Sequence, residues 1–220
     1  MIPSVGTKRN ETGVQMKLYW YWSFNPQKAQ LALEEIGQEY TLVEVDLSKR
    51  ENNVNAFLEL NPQGQVPVLD DDGFILSESM AILAYLGEKT GCHWPNELRE
   101  RAQATRWLFF CATGLESHVG GMWFNEYVAL RLGFGGRSEA VERGRKGLGA
   151  PMAYLNKHLA EEEYLCGEFT LADCGLGPVL AALELSSFDW GPFAHVHDYL
   201  DRLRRRPAWQ RCKIDQPPLD

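Results

Sequence analysis

The chain has 220 residues, 45% of them hydrophobic and 24% charged, so it has the size and composition of an ordinary globular protein with one or two domains. Its formal net charge of −8 argues against a nucleic-acid partner, because binding a phosphate backbone requires clustered positive charge. No apolar stretch is long enough to span a bilayer, and the first fifteen residues lack the apolar segment of a secretory signal, so we expect no membrane partner.

The cysteines argue for a reducing compartment. Their number is odd, and they show neither Cys-x-x-Cys spacing nor the Cys/His spacing of a zinc site. We therefore expect no metal, no resident cofactor and a cytoplasmic location for a protein that carries Cys92, Cys111, Cys166, Cys174 and Cys212.

The first part of the chain alternates strand and helix patterns. The aromatic run Lys17–Trp22 predicts a buried strand. A helix is then expected to begin at Ser23 and to end at Gly37, followed by a second strand at Tyr40–Leu47. A strand–helix–strand unit of this length predicts two parallel strands with a right-handed crossover.

A hairpin and a further helix complete this part. After a short irregular helix ending near Leu60, Val66–Leu69 and Phe74–Leu76 flank a turn of three aspartates and a glycine, which is typical of a β-hairpin. Ser77–Ser79 then predicts the start of a helix that runs to about Lys89. The expected result is a four-stranded mixed sheet covered by helices.

Nearly everything beyond residue 91 has a helical pattern. Helices are expected at 99–119, 138–159, 170–185 and 193–205, with interruptions at Gly120–Gly121 and Phe134–Gly136. Together they predict an all-helical bundle. The resulting division is a polar tail at 1–15, an α/β domain at 16–91, a linker at 92–98, a helical domain at 99–212 and a C-terminal tail at 213–220.

Two neighbouring features predict a binding site. Pro67 falls within an apolar strand, where proline requires a sheet edge or a cis peptide bond, and a cis bond would offer the Val66 amide and carbonyl to an extended peptide. Ten residues later, backbone N–H groups and the Ser79 hydroxyl at a helix start can hold a carboxylate, while Glu78 can pair with an ammonium. A small γ-linked tripeptide would need both features, one to pair with its extended backbone and one to hold its carboxylate and ammonium groups.

These motifs carry a family resemblance. The pattern NPxGxVPxL at Asn61–Leu69, the pattern ESxAI at Glu78–Ile82 and an SxNxxK turn at Ser23–Lys28 resemble the glutathione S-transferases, over residues 16 to about 212. The turn most resembles the serine-type enzymes, notably the plant phi class and related bacterial members. The resemblance implies a thioredoxin-like glutathione-binding domain, an all-helical second domain and a homodimer.

The resemblance assigns the thiol-activating role to Ser23, whose hydroxyl would donate to the glutathione sulfur. Asn25 and Tyr21 are the alternatives, since some relatives use asparagine or tyrosine. Lowering a thiol pKa from near 8.5 by about 2 units requires roughly 2.7 kcal/mol, which is the range of one hydrogen bond to a charged group. A helix N-terminus acts in the same direction.

Further residues follow from the resemblance. The expected glutathione contacts are Gln65, Val66, Pro67, Glu78, Ser79 and, for the glycine carboxylate, Asn53. At Asn52–Asn53 the phi-class members resemble one another in carrying His-Lys, so Lys49 and Arg50 are alternatives here. The pocket for a small hydrophobic electrophile would draw on Phe24, Trp107, Phe110, Gly114, His118 and Trp123.

The leading function is therefore activation of glutathione as a thiolate for attack on small electrophiles. Peroxide reduction and dehalogenation use the same thiolate and stay open, as does a non-catalytic scaffold with the same fold. A glutaredoxin-type oxidoreductase would need a cysteine at the strand-to-helix turn, and none is present, so that class survives only where glutathione supplies all the sulfur chemistry.

Overall fold

The computed structural model describes residues 16–216, so the expected tail at 1–15 and residues 217–220 of the expected tail at 213–220 lie outside the described part. A four-stranded sheet in the order β2-β1-β3-β4 forms its first half. β1 is parallel to β2, and β3 is antiparallel to both β1 and β4. The strands are β1 (Met16–Trp20), β2 (Thr41–Glu44), β3 (Val68–Asp71) and β4 (Phe74–Ser77).

Helices cover both faces of this sheet, as in a thioredoxin-like domain. Along β3, successive side chains point to opposite faces. Leu69 therefore belongs to the main core with α1 and α3, while Val68 packs with Phe57 of α2 on the other side. The helices of this half are α1 (Phe24–Glu35), α2 (Asn55–Leu60) and α3 (Ser79–Thr90), with a 3₁₀ turn at Glu51–Asn53 before α2.

The second half of the described chain is all-helical. Two five-residue π-helical segments, Cys111–Leu115 and Phe124–Val128, lie between α4, α5 and α6 without a break in the helical path. The helices are α4 (Leu98–Phe110), α5 (Glu116–Trp123), α6 (Ala129–Arg131), α7 (Ser138–His158), α8 (Leu171–Glu184), α9 (Ala194–Arg204) and α10 (Pro207–Cys212). Within residues 16–216 no helix is long and apolar enough to cross a membrane.

The two halves share one core. α1 packs against α8, and their buried side chains form a single hydrophobic cluster with α3 and α4. An ion pair with two hydrogen bonds also connects the two halves: Arg206 Nε and Nη2 donate to the Glu35 carboxylate at 2.6 and 2.8 Å. This ion pair joins the C-terminal end of α1 to the helical half.

The sequence predicted the fold class correctly, with several shifts in the element bounds. β1 ends at Trp20 rather than Trp22, and β2 is shorter than expected. Val66 and Pro67 precede β3 instead of forming its start. α4 begins at Leu98, inside the expected linker. The domain boundaries at single-residue level stay predictions.

Two features of the helical half contradict the sequence-based expectation. Gly120 and Gly121 do not interrupt a helix but lie within α5, where a Cβ would stand 3.7 Å from the Phe24 ring and 3.6 Å from the Ala140 carbonyl. Small residues there allow close approach of neighbouring elements. The expected helix at 193–205 is followed by a further helix, α10, that the pattern did not predict; it begins at Pro207, a position that needs no N–H donor.

Candidate active site

A cavity of about 510 Å³ lies between the two halves of the molecule. One wall comes from the α1 start, the segment before β3 and the start of α3, and the other from α4 and the residues that follow it. The lining residues that matter for its chemistry are Asn25, Gln65, Val66, Pro67, Glu78 and Ser79 on the first wall, and Thr105, Leu108, Phe109, Ala112 and Glu116 on the second.

The segment before β3 is held in a fixed shape. The peptide bond between Val66 and Pro67 is cis. Asn61 Nδ2 donates to the Gln65 carbonyl at 2.8 Å, and Asn52 Nδ2 donates to the Gly64 carbonyl at 2.8 Å. Among residues 16–216, the backbone bonds outside regular elements do not use the Val66 N–H or C=O. This backbone edge is therefore available to an extended ligand.

The start of α3 presents free N–H groups to the same cavity. The first helical bond runs from Ile82 N to the Glu78 carbonyl, which leaves the N–H groups of residues 79–81 without an intrahelical partner. No side chain caps them. Glu78 adopts φ 70° and ψ 111°, a costly conformation for a residue with a Cβ. The exposed Glu78 and the buried Ser79 that follows it both line the cavity.

At the α1 start the structure separates the two candidate thiol donors. Ser23 is the N-cap in an extended conformation, and its hydroxyl makes no capping hydrogen bond. It is half-buried and does not line the cavity. Asn25, the sequence-based alternative, does line it. Tyr21 is half-buried and is also absent from the cavity wall.

A buried lysine lies directly behind Asn25. Lys28 is fully buried, and its Nζ donates to Asn25 Oδ1 at 2.7 Å. The same Nζ lies 2.7 Å from Glu116 Oε1, in the geometry of a close ion pair rather than of an aligned hydrogen bond. It also stands 5.2 Å from the centre of the Phe24 ring. The SxNxxK pattern assigns Lys28 no role of its own, although its i+3 spacing from Asn25 is visible in the sequence.

The residues expected around the electrophile divide into two groups. Phe24 and Trp123 meet edge to face at 5.4 Å, and both line a smaller cavity of about 220 Å³ with Trp22. Trp22 also contacts Trp123 at 5.9 Å. These aromatic side chains border the α1 start, so the structure brings this part of the expected pocket together.

The other members of that expected set lie elsewhere. Trp107 is 1% exposed, and its ring packs on His158 of α7 at a centroid distance of 4.6 Å. Phe110 contacts Trp107 at 5.3 Å, and the His118 ring packs against Gly147 of α7. Trp107 is buried, whereas Phe110 and His118 are half-buried, and helical periodicity does not reveal which neighbour each side chain meets.

The expected glycine-carboxylate contacts are also displaced from the cavity wall. Asn53 is exposed on the 3₁₀ turn and does not line the cavity. Asn52 instead braces Gly64 through the hydrogen bond already described. Lys49 pairs with Asp46 at 2.7 Å, and hydrogen bonds from Lys49 and Ser48 hold the pKa of Asp46 well below its ordinary value.

The fold and this site define a class: a thioredoxin-like domain joined to a helical bundle, with a cavity between them. Family models described as the glutathione S-transferase N-terminal and C-terminal domains match residues 14–88 and 138–206. The chain is 34% identical to the disulfide-bond oxidoreductase YfcG of Escherichia coli over 200 residues, 87% of this chain and 91% of that one. It is 28% identical to glutathione S-transferase F9 of Arabidopsis thaliana, covering 89% of this chain and 94% of the relative.

A solved structure agrees with these sequence matches. The glutathione transferase of Pseudomonas putida, with one glutathione disulfide bound per subunit, superimposes with a TM-score of 0.82 at 25% identity, covering 95% of this chain and 94% of that one. The chain belongs to the glutathione S-transferase family, and it is a glutathione transferase.

Proposed function

We propose that the 510 Å³ cavity binds glutathione so that its sulfur meets the amide of Asn25. The observation that supports this proposal is the convergence on one cavity of the Val66 edge, the open start of α3 and the α1 turn. The Val66 N–H and C=O would pair with the cysteinyl backbone of the tripeptide. Glu78 and the N–H groups at residues 79–81 would hold the γ-glutamyl ammonium and carboxylate.

The chemistry required of the protein is stabilisation of an anion. A free thiol has a pKa near 8.5, and one hydrogen bond to a charged group is worth about 1.5–3 kcal/mol, enough to lower that pKa by about 1–2 units. The start of α1 contributes favourable dipoles to the same place. The resulting thiolate attacks the electrophile and forms the new sulfur bond while the leaving group departs.

The donor assignment distinguishes Asn25 from Ser23. We assign the direct contact to Asn25 because it lines the cavity, and we keep Ser23 as the competing donor from the sequence. At pH 7, Asn25→Ala is expected to lower kcat/KM for an aryl halide by about 10–100-fold, while Ser23→Ala lowers it less than about fivefold. A larger loss in Ser23→Ala than in Asn25→Ala would return the role to the serine.

A second candidate reaction is glutathione-dependent reduction of disulfides. The cavity wall contains no cysteine, so glutathione would have to supply the sulfur chemistry. One glutathione thiolate would attack the disulfide, expel the other half as a thiolate and form a mixed disulfide; a second glutathione thiolate would then release it as glutathione disulfide. The similarity to YfcG, a disulfide-bond oxidoreductase, supports testing this reaction.

The experiment that tests both reactions starts from binding. Wild-type protein is titrated with glutathione by calorimetry and then assayed with an aryl halide, a peroxide, a haloalkane and a small mixed disulfide. Turnover of the aryl halide above the other substrates would support conjugation as the main activity, and preference for the disulfide would support the second candidate. Failure to bind glutathione would overturn the proposal.

Assembly and location belong to the same proposal. We expect a homodimer, supported by exposed aromatic side chains: Phe109 of α4 is 65% exposed, and Phe74 of β4 is 50% exposed and contacts the Tyr85 ring of α3 at a tilt. Light scattering should give twice the mass of one chain. All five cysteines are free thiols, which supports a cytoplasmic location and would be checked by cell fractionation.

A further inference from the structure

The orientation of the Asn25 carboxamide is set by its neighbour. An ammonium carries only donors, so the Asn25 atom 2.7 Å from Lys28 Nζ must be the carbonyl oxygen. The NH₂ group then lies on the other side of the carboxamide. Within residues 16–216, Asn25 Nδ2 has no hydrogen-bond partner, and the residue lines the cavity. The amide therefore offers donors, and not an acceptor, to a ligand.

Lys28 is in turn held by an ion pair with a residue of the helical half. Its side chain is fully buried, and its ion-pair partner Glu116 is the first residue of α5. Glu116 lines the cavity on the wall opposite Glu78. A single buried ion pair thus connects the helical half to the amide at the α1 start. A carboxylate in this place would by itself disfavour a thiolate, so the lysine also neutralises a charge that opposes the reaction.

We propose that Lys28 is a positioning residue: its ammonium fixes the Asn25 carboxamide oxygen, so that the amide NH₂ faces the glutathione sulfur, and Glu116 holds Lys28 in place. This inference rests on the proposed function, since it needs Asn25 to contact the thiolate. Without the ammonium, the carboxamide could turn its oxygen to the sulfur, which would repel the thiolate.

The charged groups around the sulfur position are few. Among the cavity-lining residues of the described stretch 16–216, only Glu78 from the start of α3 and Glu116 from the start of α5 carry titratable side chains, with Lys28 of α1 behind them. Cys111 also lies close to this pair, but burial raises the pKa of its thiol to about 12, so it stays neutral at working pH. A change in the glutathione thiol pKa can therefore be traced to these groups.

The test compares two matched variants. Glu116→Gln removes the carboxylate charge but keeps a side-chain carbonyl oxygen that can accept from Lys28, so the ammonium retains a partner on the helical half. The double variant Lys28→Met/Glu116→Gln removes both charges together, because Lys28→Met alone would leave the Glu116 carboxylate without its cation. Circular dichroism and thermal unfolding confirm that each variant folds. The readout is the pKa of enzyme-bound glutathione, followed by thiolate absorbance and by the pH profile of kcat/KM.

The two variants are expected to change the thiol pKa of bound glutathione differently. The thiol pKa should rise by about one unit in the double variant, which corresponds to a roughly tenfold loss of kcat/KM below that pKa. In Glu116→Gln it should stay the same or fall, because the lysine charge is then unneutralised. Glutathione affinity should change less than about threefold in both, since the Val66 edge and the α3 start are intact. A purely structural role would leave the thiol pKa unchanged in both variants.

A mutant cycle with Asn25→Ala tests whether Lys28 affects the glutathione thiol pKa through Asn25. If Lys28 acts through Asn25, adding the double change to Asn25→Ala should leave the thiol pKa of that variant unaltered. Additive shifts would mean that Lys28 acts through its charge alone, and they would overturn the positioning role. An unchanged thiol pKa of bound glutathione in Lys28→Met/Glu116→Gln would also overturn the positioning role. Failure of the wild type to bind glutathione as thiolate would instead refute the proposed function.

Discussion

The starts of α3 and α8 are both helix N-termini, but they use their backbone N–H groups in opposite ways. At α3 no side chain caps the helix, the preceding residue is strained, and the N–H groups open onto the cavity. At α8 the capping box is complete: Thr170 Oγ1 accepts from Ala172 N, and Asp173 Oδ2 accepts from Thr170 N. A helix start that leaves its donors unsatisfied can bind an anion, whereas one that satisfies them internally holds the fold together.

Asp173 is the centre of a buried hydrogen-bond network at the start of α8. Its carboxylate is fully buried, and it also accepts hydrogen bonds from Leu165 N at 3.0 Å and from Tyr199 Oη at 2.8 Å. Burial is the main influence on this group, and it raises the pKa of Asp173 to about 6 against the opposing effect of these donors. The same residue type at an exposed helix start would have neither property.

The largest expected effect is on stability at the α8 start. Asp173→Ala should lower the free energy of unfolding by about 3–5 kcal/mol, because several buried donors lose their acceptor at once. Urea unfolding followed by fluorescence measures it. Glu97→Ala, at the start of α4 where the side chain makes no capping bond, should cost less than about 0.5 kcal/mol. Similar losses in both variants would contradict the contrast between capped and open helix starts.

The pH dependence of stability should also follow Asp173. Because its folded pKa is raised, the native state keeps a proton that the unfolded chain has lost, so this contribution is fully present below about pH 4 and is lost as pH rises to about 6. The stability of wild type relative to Asp173→Asn should therefore fall by on the order of 2–3 kcal/mol across that range. Urea unfolding at stepped pH measures the difference.

Asp71 provides the control of opposite sign. Burial favours its neutral form, but hydrogen bonds from Lys89 and Tyr85 outweigh burial and hold the pKa of Asp71 below its ordinary value. Its contribution should therefore be present above about pH 4 and be lost on acidification. Stability of wild type relative to Asp71→Asn should rise with pH below about pH 4 and stay level between about pH 4 and 6, where the Asp173 comparison falls. Parallel curves for the two comparisons would refute both assignments.

At the α3 start, the expected effect is on binding rather than folding. Ser79→Ala should weaken glutathione binding by roughly tenfold, because one hydrogen bond to a carboxylate is lost. Its free energy of unfolding should change by less than about 0.5 kcal/mol, since the hydroxyl makes no capping bond. Calorimetry and urea unfolding give the two values.

The matched variant at the other helix start should show the reverse. Thr170→Ala should lower the free energy of unfolding by about 1 kcal/mol and leave glutathione affinity unchanged. If Ser79→Ala destabilised the fold while binding glutathione normally, the open start of α3 would be a structural cap and not a ligand site.

The smallest expected effect concerns the second substrate. Trp123→Ala should raise KM for an aryl halide by roughly fivefold without changing glutathione affinity, because it removes an aromatic wall beside Phe24. Phe110→Ala, on the Trp107 side of α4, should leave that KM unchanged. Equal effects of the two substitutions in steady-state assays would mean that the electrophile does not bind beside the α1 start.

Sequence alone determined the parts of this protein that depend on local pattern. The alternation of strand and helix, the cis bond that Pro67 calls for and the Glu78–Ser79 helix start can each be read within a dozen residues, and the structure contains them all. Local propensity and turn chemistry act over that distance, so one sequence is enough to reveal them.

Tertiary structure decided which side chains meet. Asn25 rather than Ser23 lines the cavity, Lys28 joins it to Glu116 nearly ninety residues away in the chain, and Trp107 faces a different part of the bundle from Trp123. Helical periodicity says that a residue is buried, but it does not say against which neighbour, because that depends on how separate helices pack. The pairing of α1 with α5 and α8, invisible along the chain, therefore sets the chemistry of the cavity.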